Sequence, residues 1–358
     1  MKILHIVEAL GGGVYTYFKG LSDFFSQDYI VTNCDTYIIY NDKRNEILPE
    51  KIKEDFGNKV HLIKVDMEKN INPIKDLKST LKLIKTIRKI NPDIIHLHSS
   101  KASIVGRWAS FFSFKKHKLY YTPHGYSFLR EDISNKKKFA LKCIEKYTQS
   151  IFGGTTIACG DTEFEIAKKL GKAKLVRNGI NIEEVSKHYK NNLQEKLTLG
   201  IVGRISFQKN PQLFNEIALK FPQYQFLWIG DGELQHLLTS PNIKITGWFH
   251  TSKEVYNYLN KIDIFLQTSL WEGLPIALLE ALAFSKPIIS TNIIGNKDIV
   301  EHGKNGYLFQ NINELNKFIN QLENSTLRKQ MGENSYKICL SKFDNRTNML
   351  ELYKLYSS

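Results

Sequence analysis

Two glutamates frame an otherwise apolar segment, Trp271-Glu272-Gly273-Leu274-Pro275-Ile276-Ala277-Leu278-Leu279-Glu280-Ala281. Pro275 suits the first turn of a helix, where its missing N–H costs nothing. Glu272 then precedes the helix, and Glu280 sits about one and a half turns inside it. Gly273 permits close backbone approach, and the free N–H groups from Gly273 onward make an anion site at the helix start. A diphosphate fits such a site, and the two carboxylates can accept hydrogen bonds from neutral sugar hydroxyls around it. Glu280 lies between Leu279 and Ala281, where a carboxylate needs a partner.

A second group is cationic. Arg204 and Lys209 follow the apolar run Leu197–Val202 through Gly203. A guanidinium holds phosphate oxygens in pairs and an ammonium adds a point charge. The sequence has no Asp-x-Asp metal motif, so metal-independent chemistry without a cofactor is expected, with the two cations in the place of a divalent ion. His124 stands in a sharp turn between Pro123 and Gly125. His96 and His98 share one face of a strand, a metal pair with no third ligand nearby in the sequence. The run Gly11-Gly12-Gly13 has Thr16 where a dinucleotide loop needs its third glycine. Asp231, in Gly230-Asp231-Gly232, reads as the N-cap of a following helix.

These residues need strand ends to hold them. Ile3–Val7, Val60–Val65, Asp93–His98, Leu119–Thr122 and Thr155–Cys159 read as short buried strands. Leu197–Val202, Gln225–Ile229, Ile243–Thr246, Ile264–Gln267 and Pro287–Ser290 form a second series. Amphipathic stretches lie between them. In Leu77–Ile90 the apolar residues Leu77, Leu81, Leu83, Ile84, Ile87 and Ile90 suit a helix covering one face of a sheet. The β-α-β-α order predicts an α/β protein with two doubly wound, Rossmann-like domains, whose ligands bind at strand carboxyl ends. The polar stretch Asn181–Glu195 is the linker candidate, and the chain from about Asn311 onward reads as helical.

A chain of 358 residues exceeds what one hydrophobic core usually supports. No apolar run is long enough to span a bilayer, and Met1–Glu8 lacks the pattern of a signal peptide, so a cytoplasmic protein is expected. Cys34, Cys143, Cys159 and Cys339 show no C-x-x-C spacing and read as buried free thiols. The net charge of +14 is uneven: residues 1–185 hold 31 Lys/Arg against 21 Asp/Glu. With no zinc finger, RNP1 motif or KH loop, nucleic acid is not the expected partner. Lys136-Lys137-Lys138, followed by Phe139, Leu141, Ile144 and Tyr147, reads either as a solvated face or as a basic amphipathic helix suited to an anionic membrane surface.

The Glu-x7-Glu spacing within EGLPIALLEALAFSKPIIST resembles the signature of the retaining glycosyltransferases of family 4, the glycosyl transferases group 1. The resemblance covers nearly the whole chain and is strongest over residues 196–310. It implies the GT-B fold, with an inter-domain cleft between an acceptor domain (1–186) and a nucleotide-sugar domain (187–340), and a final segment (341–358) that packs back on the first domain. It implies that Glu280 binds the ribose and Glu272 the donor sugar. Gly203, Arg204, Lys209 and the backbone of Gly273, Leu274 and Pro275 hold the diphosphate, and Gly247 and Trp248 border the base. Gly12 and Gly13 approach the donor phosphate or the acceptor, His124 stands near the transferred sugar, and His98 and Ser99 line the acceptor side, with His96 a buried structural residue. Asn178-Gly179-Ile180 resembles the family's hinge turn. The expected activity is transfer from a nucleotide diphosphate sugar, UDP-sugar favoured, to a glycan or lipid-linked acceptor in bacterial surface polysaccharide assembly, at the inner face of the plasma membrane. The rival readings are a nucleotide-sugar epimerase of the same fold and a non-catalytic membrane-associated scaffold.

Overall fold

The computed structural model describes residues 1–8, 10–27, 34–41, 49–57, 59–67, 72–190, 196–249 and 251–358. Two compact units emerge from its contacts. The first comprises Met1–Leu129, Ile133–Asn178 and Arg346–Ser358; the second comprises Arg130–Asp132 and Gly179–Asn345.

The first unit is built on β1 (Lys2–Val7), β2 (Asp35–Tyr40), β3 (His61–Lys64), β4 (Ile94–His98), β5 (Lys118–Thr122), β6 (Thr155–Ala158) and β7 (Ala173–Leu175). They form one sheet in the order β3-β2-β1-β4-β5-β6-β7, and every recorded pairing is parallel. Parallel strands covered on both faces read as near-continuous apolar runs, and β4 is buried at all five positions. Alternation then sorts side chains between two layers. Ile3, Val7, Ile94 and Ile157 pack with α1 (Gly12–Gln27), α2 (Pro49–Phe56) and α14 (Asn345–Ser357). Leu4, Ile6, Ile95 and Leu97 pack with α3 (Pro73–Ile90), α4 (Ser100–Phe112) and α6 (Asp161–Leu170). Met349, Leu352 and Tyr356 of α14 are buried in the first of these cores. The helix α5 (Asn135–Phe152) lies beside α4 in the second layer.

The second unit contains β8 (Thr198–Val202), β9 (Gln225–Ile229), β10 (Ile243–Ile245), β11 (Ile264–Gln267), β12 (Ile288–Thr291) and β13 (Gly306–Phe309), parallel and in the order β10-β9-β8-β11-β12-β13. Its helices are α7 (Ile182–Ser186), α8 (Pro211–Lys220), α9 (Ser252–Leu259), α10 (Ile276–Ala283), α11 (Asn296–Ile299), α12 (Ile312–Leu322) and α13 (Ser325–Lys342).

In each sheet the strand order reverses once, between β1 and β4 and between β8 and β11. Carboxyl-end crevices at such switch points are where ligands of this architecture bind.

Several expectations need correction. The segment Asn181–Glu195 is not simply a linker. It contains α7, whose Ile182 and Val185 are buried, while 191–195 lie outside the described residues. On α3, Leu83, Ile87 and Ile90 face the core, but Leu77 and Leu81 point to solvent with Ile74. The helix carries two apolar stripes, and a periodicity count merges them. Cys159 and Cys339 are buried, whereas Cys34 and Cys143 are only partly so.

Candidate active site

In the second unit the switch-point crevice is lined from both sides. After β8 the backbone turns at Gly203, with φ +145°, into Arg204, a single 3-10 turn at Phe207–Lys209, and α8. A Cβ on Gly203 would stand 3.0 Å from Lys209 Cε, so glycine there is what leaves room for the lysine stem. After β11, Thr268 and Ser269 lead to Glu272. Lys209 Nζ lies 2.8 Å from Glu272 Oε1. Ser269 Oγ donates to the same oxygen at 2.7 Å and Gln267 Nε2 at 3.2 Å, while Gln208 Nε2 donates to Oε2 at 3.2 Å. A carboxylate has about four acceptor sites, two on each oxygen. Oε1 is therefore fully taken, and Oε2 keeps capacity for one further donor.

Glu272 is buried, and the chain beyond it, Gly273 to Ile276, is buried too. Gly295, with φ +82°, closes over this segment: a Cβ there would fall 2.2 Å from the Gly273 carbonyl oxygen. Pro275 is the N-cap residue of α10, one position before its first turn, and no side chain caps this helix start. Glu280, on α10, accepts from Tyr256 Oη of α9 at 3.3 Å. Loss of hydration on burial pushes its carboxyl up to about 7, against the lowering effect of that hydrogen bond. A carboxyl held this way is half-charged at neutral pH and responds to any new donor.

Gly247 is open, with φ +76° and nothing near its Cβ position, and Trp248 is about half exposed beside it. Phe249 instead stacks on Tyr258, with ring centroids 5.0 Å apart. Asp231 is not a helix cap: its Oδ1 accepts from Gly232 N at 2.7 Å, and only a 3-10 turn at Gln235–Leu237 follows, whose N-cap position is Leu234.

The switch point of the first unit gathers imidazoles. Register across β1 and β4 sets His5 beside His96 and Val7 beside His98. His5 Nδ1 lies 3.0 Å from His98 Nε2, and His98 Nδ1 lies 3.0 Å from His124 Nε2. His96 is held separately, by Tyr356 Oη at 2.5 Å and Thr122 Oγ1 at 2.8 Å. His5 and His124 are pushed down to about 3, and His96 and His98 well below their ordinary value, in each case chiefly because burial penalises the imidazolium. All four rings are therefore neutral, each with one donor and one acceptor nitrogen.

That neutrality fixes a direction. His5 Nε2 is buried without a partner. An unpaired buried N–H is the rarer kind of orphan, so this nitrogen is the bare acceptor and Nδ1 carries the hydrogen. His5 then donates to His98, His98 donates to His124 Nε2, and His124 carries its own hydrogen on Nδ1. That hydrogen sits in a strained turn: His124 has φ +52°, uncommon for a residue with a Cβ. Glu163 braces the turn by accepting from Gly125 N at 2.8 Å and Cys159 N at 2.9 Å.

Two site expectations change here. His98 does not line a surface; it is fully buried beneath His124. The third histidine missing from the sequence reading is His5, and ring nitrogens of His5, His96 and His98 lie within 4.8 Å of one another. Both ring nitrogens of His96 and of His98 are engaged in hydrogen bonds, with Tyr356, Thr122, His5 and His124. Ser99 caps α4, accepting from Ala102 N at 3.5 Å. Gly12 and Gly13 are exposed at the start of α1.

Sequence comparison adds to this geometry. Residues 182–338 match the family described as glycosyl transferases group 1, and residues 46–155 match glycosyl transferase 4-like. The chain is 33% identical to the UDP-Gal:alpha-D-GlcNAc-diphosphoundecaprenol alpha-1,3-galactosyltransferase of Escherichia coli, over 79% of each chain. The chain belongs to the glycosyl transferases group 1 family. It is a glycosyltransferase of the hexosyltransferase class with the GT-B fold. The enzyme is also 26% identical to the capsular polysaccharide biosynthesis glycosyltransferase CapM of Staphylococcus aureus, over 91% of this chain and 90% of that protein. Among solved structures, Anabaena Alr3699/HepE in complex with UDP and glucose aligns over the full length of both chains with a TM-score of 0.79 at 19% identity, a likeness of fold. The glycosyltransferase thus carries its two chemically equipped switch points on the two sheets of that fold.

Proposed function

We propose that this glycosyltransferase moves a sugar from a UDP-sugar to a hydroxyl of a lipid-linked glycan, with retention of anomeric configuration, in the assembly of a surface polysaccharide at the cytoplasmic face of the membrane. The Lys209–Glu272 pair at the carboxyl ends of β8 and β11 carries the reading, because it sets a cation for phosphate beside a carboxylate with one acceptor site to spare. The relatives support the substrates: one is named for UDP-galactose and a diphosphoundecaprenol-linked acceptor, another for capsule synthesis.

In this reading Glu280 accepts from the ribose hydroxyls. Arg204, Lys209 and the uncapped start of α10 hold the diphosphate, and Trp248 borders the base. Glu272 Oε2 takes a hydroxyl of the donor sugar. Charge builds on the departing phosphate oxygen as the anomeric carbon–oxygen bond breaks, and in this reading Arg204 and Lys209 offset it. The acceptor hydroxyl bonds to the same face of the anomeric carbon and gives its proton to the leaving diphosphate. The first unit carries the acceptor, and His124 offers its Nδ1–H to a sugar hydroxyl. No step needs a metal ion.

The test is transfer from UDP-glucose, UDP-galactose, UDP-N-acetylglucosamine and GDP-mannose to an undecaprenyl-diphosphate-linked sugar, with the anomeric configuration of the product read by NMR. A lipid-linked product with the donor's α-configuration supports the reading. An inverted product, or free epimerised sugar without acceptor, overturns it.

A further inference from the structure

Ten of the fifteen large apolar side chains exposed among the described residues belong to one layer of the first unit, on α3, α4, α5 and the loop after α4. Their densest group is aromatic. Trp108, Phe111 and Phe112 project from the last turns of α4, and Phe152 of α5 closes the group, with ring centroids 5.2 Å from Trp108 and 5.5 Å from Phe111. Phe114 stands next to them, 78% exposed. Its φ is +54°, a conformation that costs a bulky residue energy, so the fold holds this ring in water at a local loss. Along the outer face of α5, Phe139, Tyr147 and Ile151 continue the apolar surface at steps of eight and four residues, each at least 60% exposed. Monomeric proteins rarely leave so much contiguous apolar area open without a use.

The charge around this face is predominantly positive. Residues 72–152 hold seventeen Lys/Arg and five Asp/Glu, a net +12 of the chain's +14. Glu145 is buried against Tyr121, and Asp76 is spent on Lys101. Lys115 and Lys116 flank Phe114, and Lys142 and Lys146 flank the α5 stripe, all exposed. A shallow depression between α5 and α6 repeats the pattern, with Phe128, Phe139 and Ile166 for its apolar lining and Lys138, Lys142 and Lys169 around it. Among the described residues no helix is long and apolar enough to cross a membrane.

We infer that the outer face of α3–α5 docks on an anionic lipid bilayer, with the Trp108–Phe114 cluster entering the headgroup region and the lysines meeting lipid phosphates. Aromatic rings beside lysines match the boundary between acyl chains and charged headgroups, and each lysine near such a surface adds attraction that salt weakens. A protein partner would need only the apolar half of this description; the nearly uncompensated charge points to lipid. The inference extends the lipid-linked acceptor reading without depending on it, since docking is measured with neither donor nor acceptor.

The experiment is co-sedimentation of the full chain with vesicles of phosphatidylcholine alone and of phosphatidylcholine with phosphatidylglycerol, at low and high salt. Binding to the anionic vesicles is expected, weakening at high salt, with a blue shift of tryptophan emission that Trp108→Phe removes. Lys115→Glu/Lys116→Glu and Phe111→Ser/Phe114→Ser should each lower partitioning about tenfold or more. Because these side chains are exposed, both variants should keep the wild-type melting temperature and UDP-sugar affinity, which separates lost docking from lost folding. Absence of vesicle binding by the wild type, or undiminished binding by both variants, overturns the inference. A dimer in solution that Phe111→Ser/Phe114→Ser dissociates, without vesicle binding, overturns it in favour of a second copy of the chain.

Discussion

If Glu280 takes the ribose, donor affinity must follow its protonation. The free enzyme holds this carboxyl near 7, because burial disfavours the charge. Two ribose hydroxyls donate hydrogen bonds and so favour the carboxylate form; the donor binds the ionised state and binding expels the proton. With a midpoint near 7, about nine-tenths of the enzyme is competent at pH 8 and about one-tenth at pH 6, so the dissociation constant should rise about tenfold between them, or about 1.4 kcal/mol. Above pH 8 it should be flat. UDP-glucose is the ligand of choice, since its diphosphate is esterified at both ends and does not itself titrate near neutrality. Isothermal calorimetry from pH 5.5 to 8.5, in two buffers of different ionisation enthalpy, gives both the affinity and the protons released. Release should approach one proton at pH 6 and vanish by pH 8.5. Glu280→Gln keeps the shape but not the charge. It should bind about ten- to a hundred-and-fifty-fold more weakly at pH 8, the value of about 1.5–3 kcal/mol for hydrogen bonds to a charged group, and its affinity should ignore pH. A flat profile in the wild-type enzyme, or an unchanged slope in Glu280→Gln, refutes the ribose role.

Other perturbations test the remaining parts. Lys209→Met should lower kcat about 10²-fold if the ammonium offsets leaving-group charge, and near-normal initial rates with a lipid-linked acceptor would remove it from the site. Gly203→Ala places a Cβ 3.0 Å from Lys209 Cε in a backbone conformation that disfavours side chains. A loss of about 1–3 kcal/mol by denaturant titration and weaker UDP-glucose binding are expected, and wild-type behaviour in both would contradict the packing argument. His5, His96 and His98 have folded pKa values below those of the unfolded chain, so the folded state binds fewer protons. The stability they give is present above about pH 6.5 and is lost as pH falls below it, by up to about 1.4 kcal/mol per pH unit for each ring. The melting temperature should drop steeply between pH 6.5 and 5, and a profile level through that range would mean the rings take up protons together with those of the unfolded chain. Finally, ¹⁵N NMR should show His124 protonated at Nδ1, and His98→Ala should release it to a mixture of tautomers; a dominant Nε2–H form in the wild type reverses the direction argued for the chain of rings.

Much of this was legible from residue types and order. Buried parallel strands are apolar throughout, so β1, β4, β5, β8, β9 and β11 stand out in the sequence, and polar motifs directly after them mark the carboxyl ends. The strands β2, β7 and β13 were not visible. Asp35-Thr36-Tyr37 opens β2 with residues common to loops and edges, while β7 (Ala-Lys-Leu) and β13 (Gly-Tyr-Leu-Phe) open on small residues and carry no β-branched run to mark them. The partners of the motif residues were hidden for another reason: they come from distant positions. Nothing in Lys-Ile-Leu-His-Ile-Val announces that His5 meets His98, ninety-three residues away, or that Tyr356 reaches His96 across 260. Ser269 and Gln267 sit beside Glu272 in the chain, yet only the turn after β11 folds them onto one carboxylate oxygen. On α3, spacing alone assigned Leu77 and Leu81 to the core, because it cannot tell an apolar stripe meant for a sheet from one left facing water.

The placement of α14 has a consequence for how the enzyme is made. Met349, Leu352 and Tyr356 complete the core against which β1 and β4 pack, yet they are translated after the entire second unit. The second unit can mature on the ribosome while the first waits, with its imidazole face uncovered, for a helix still to be synthesised. A chain truncated before residue 346 is therefore expected to lose protease resistance in the amino-terminal unit while the carboxyl-terminal sheet keeps it, and equal resistance of both would contradict this dependence.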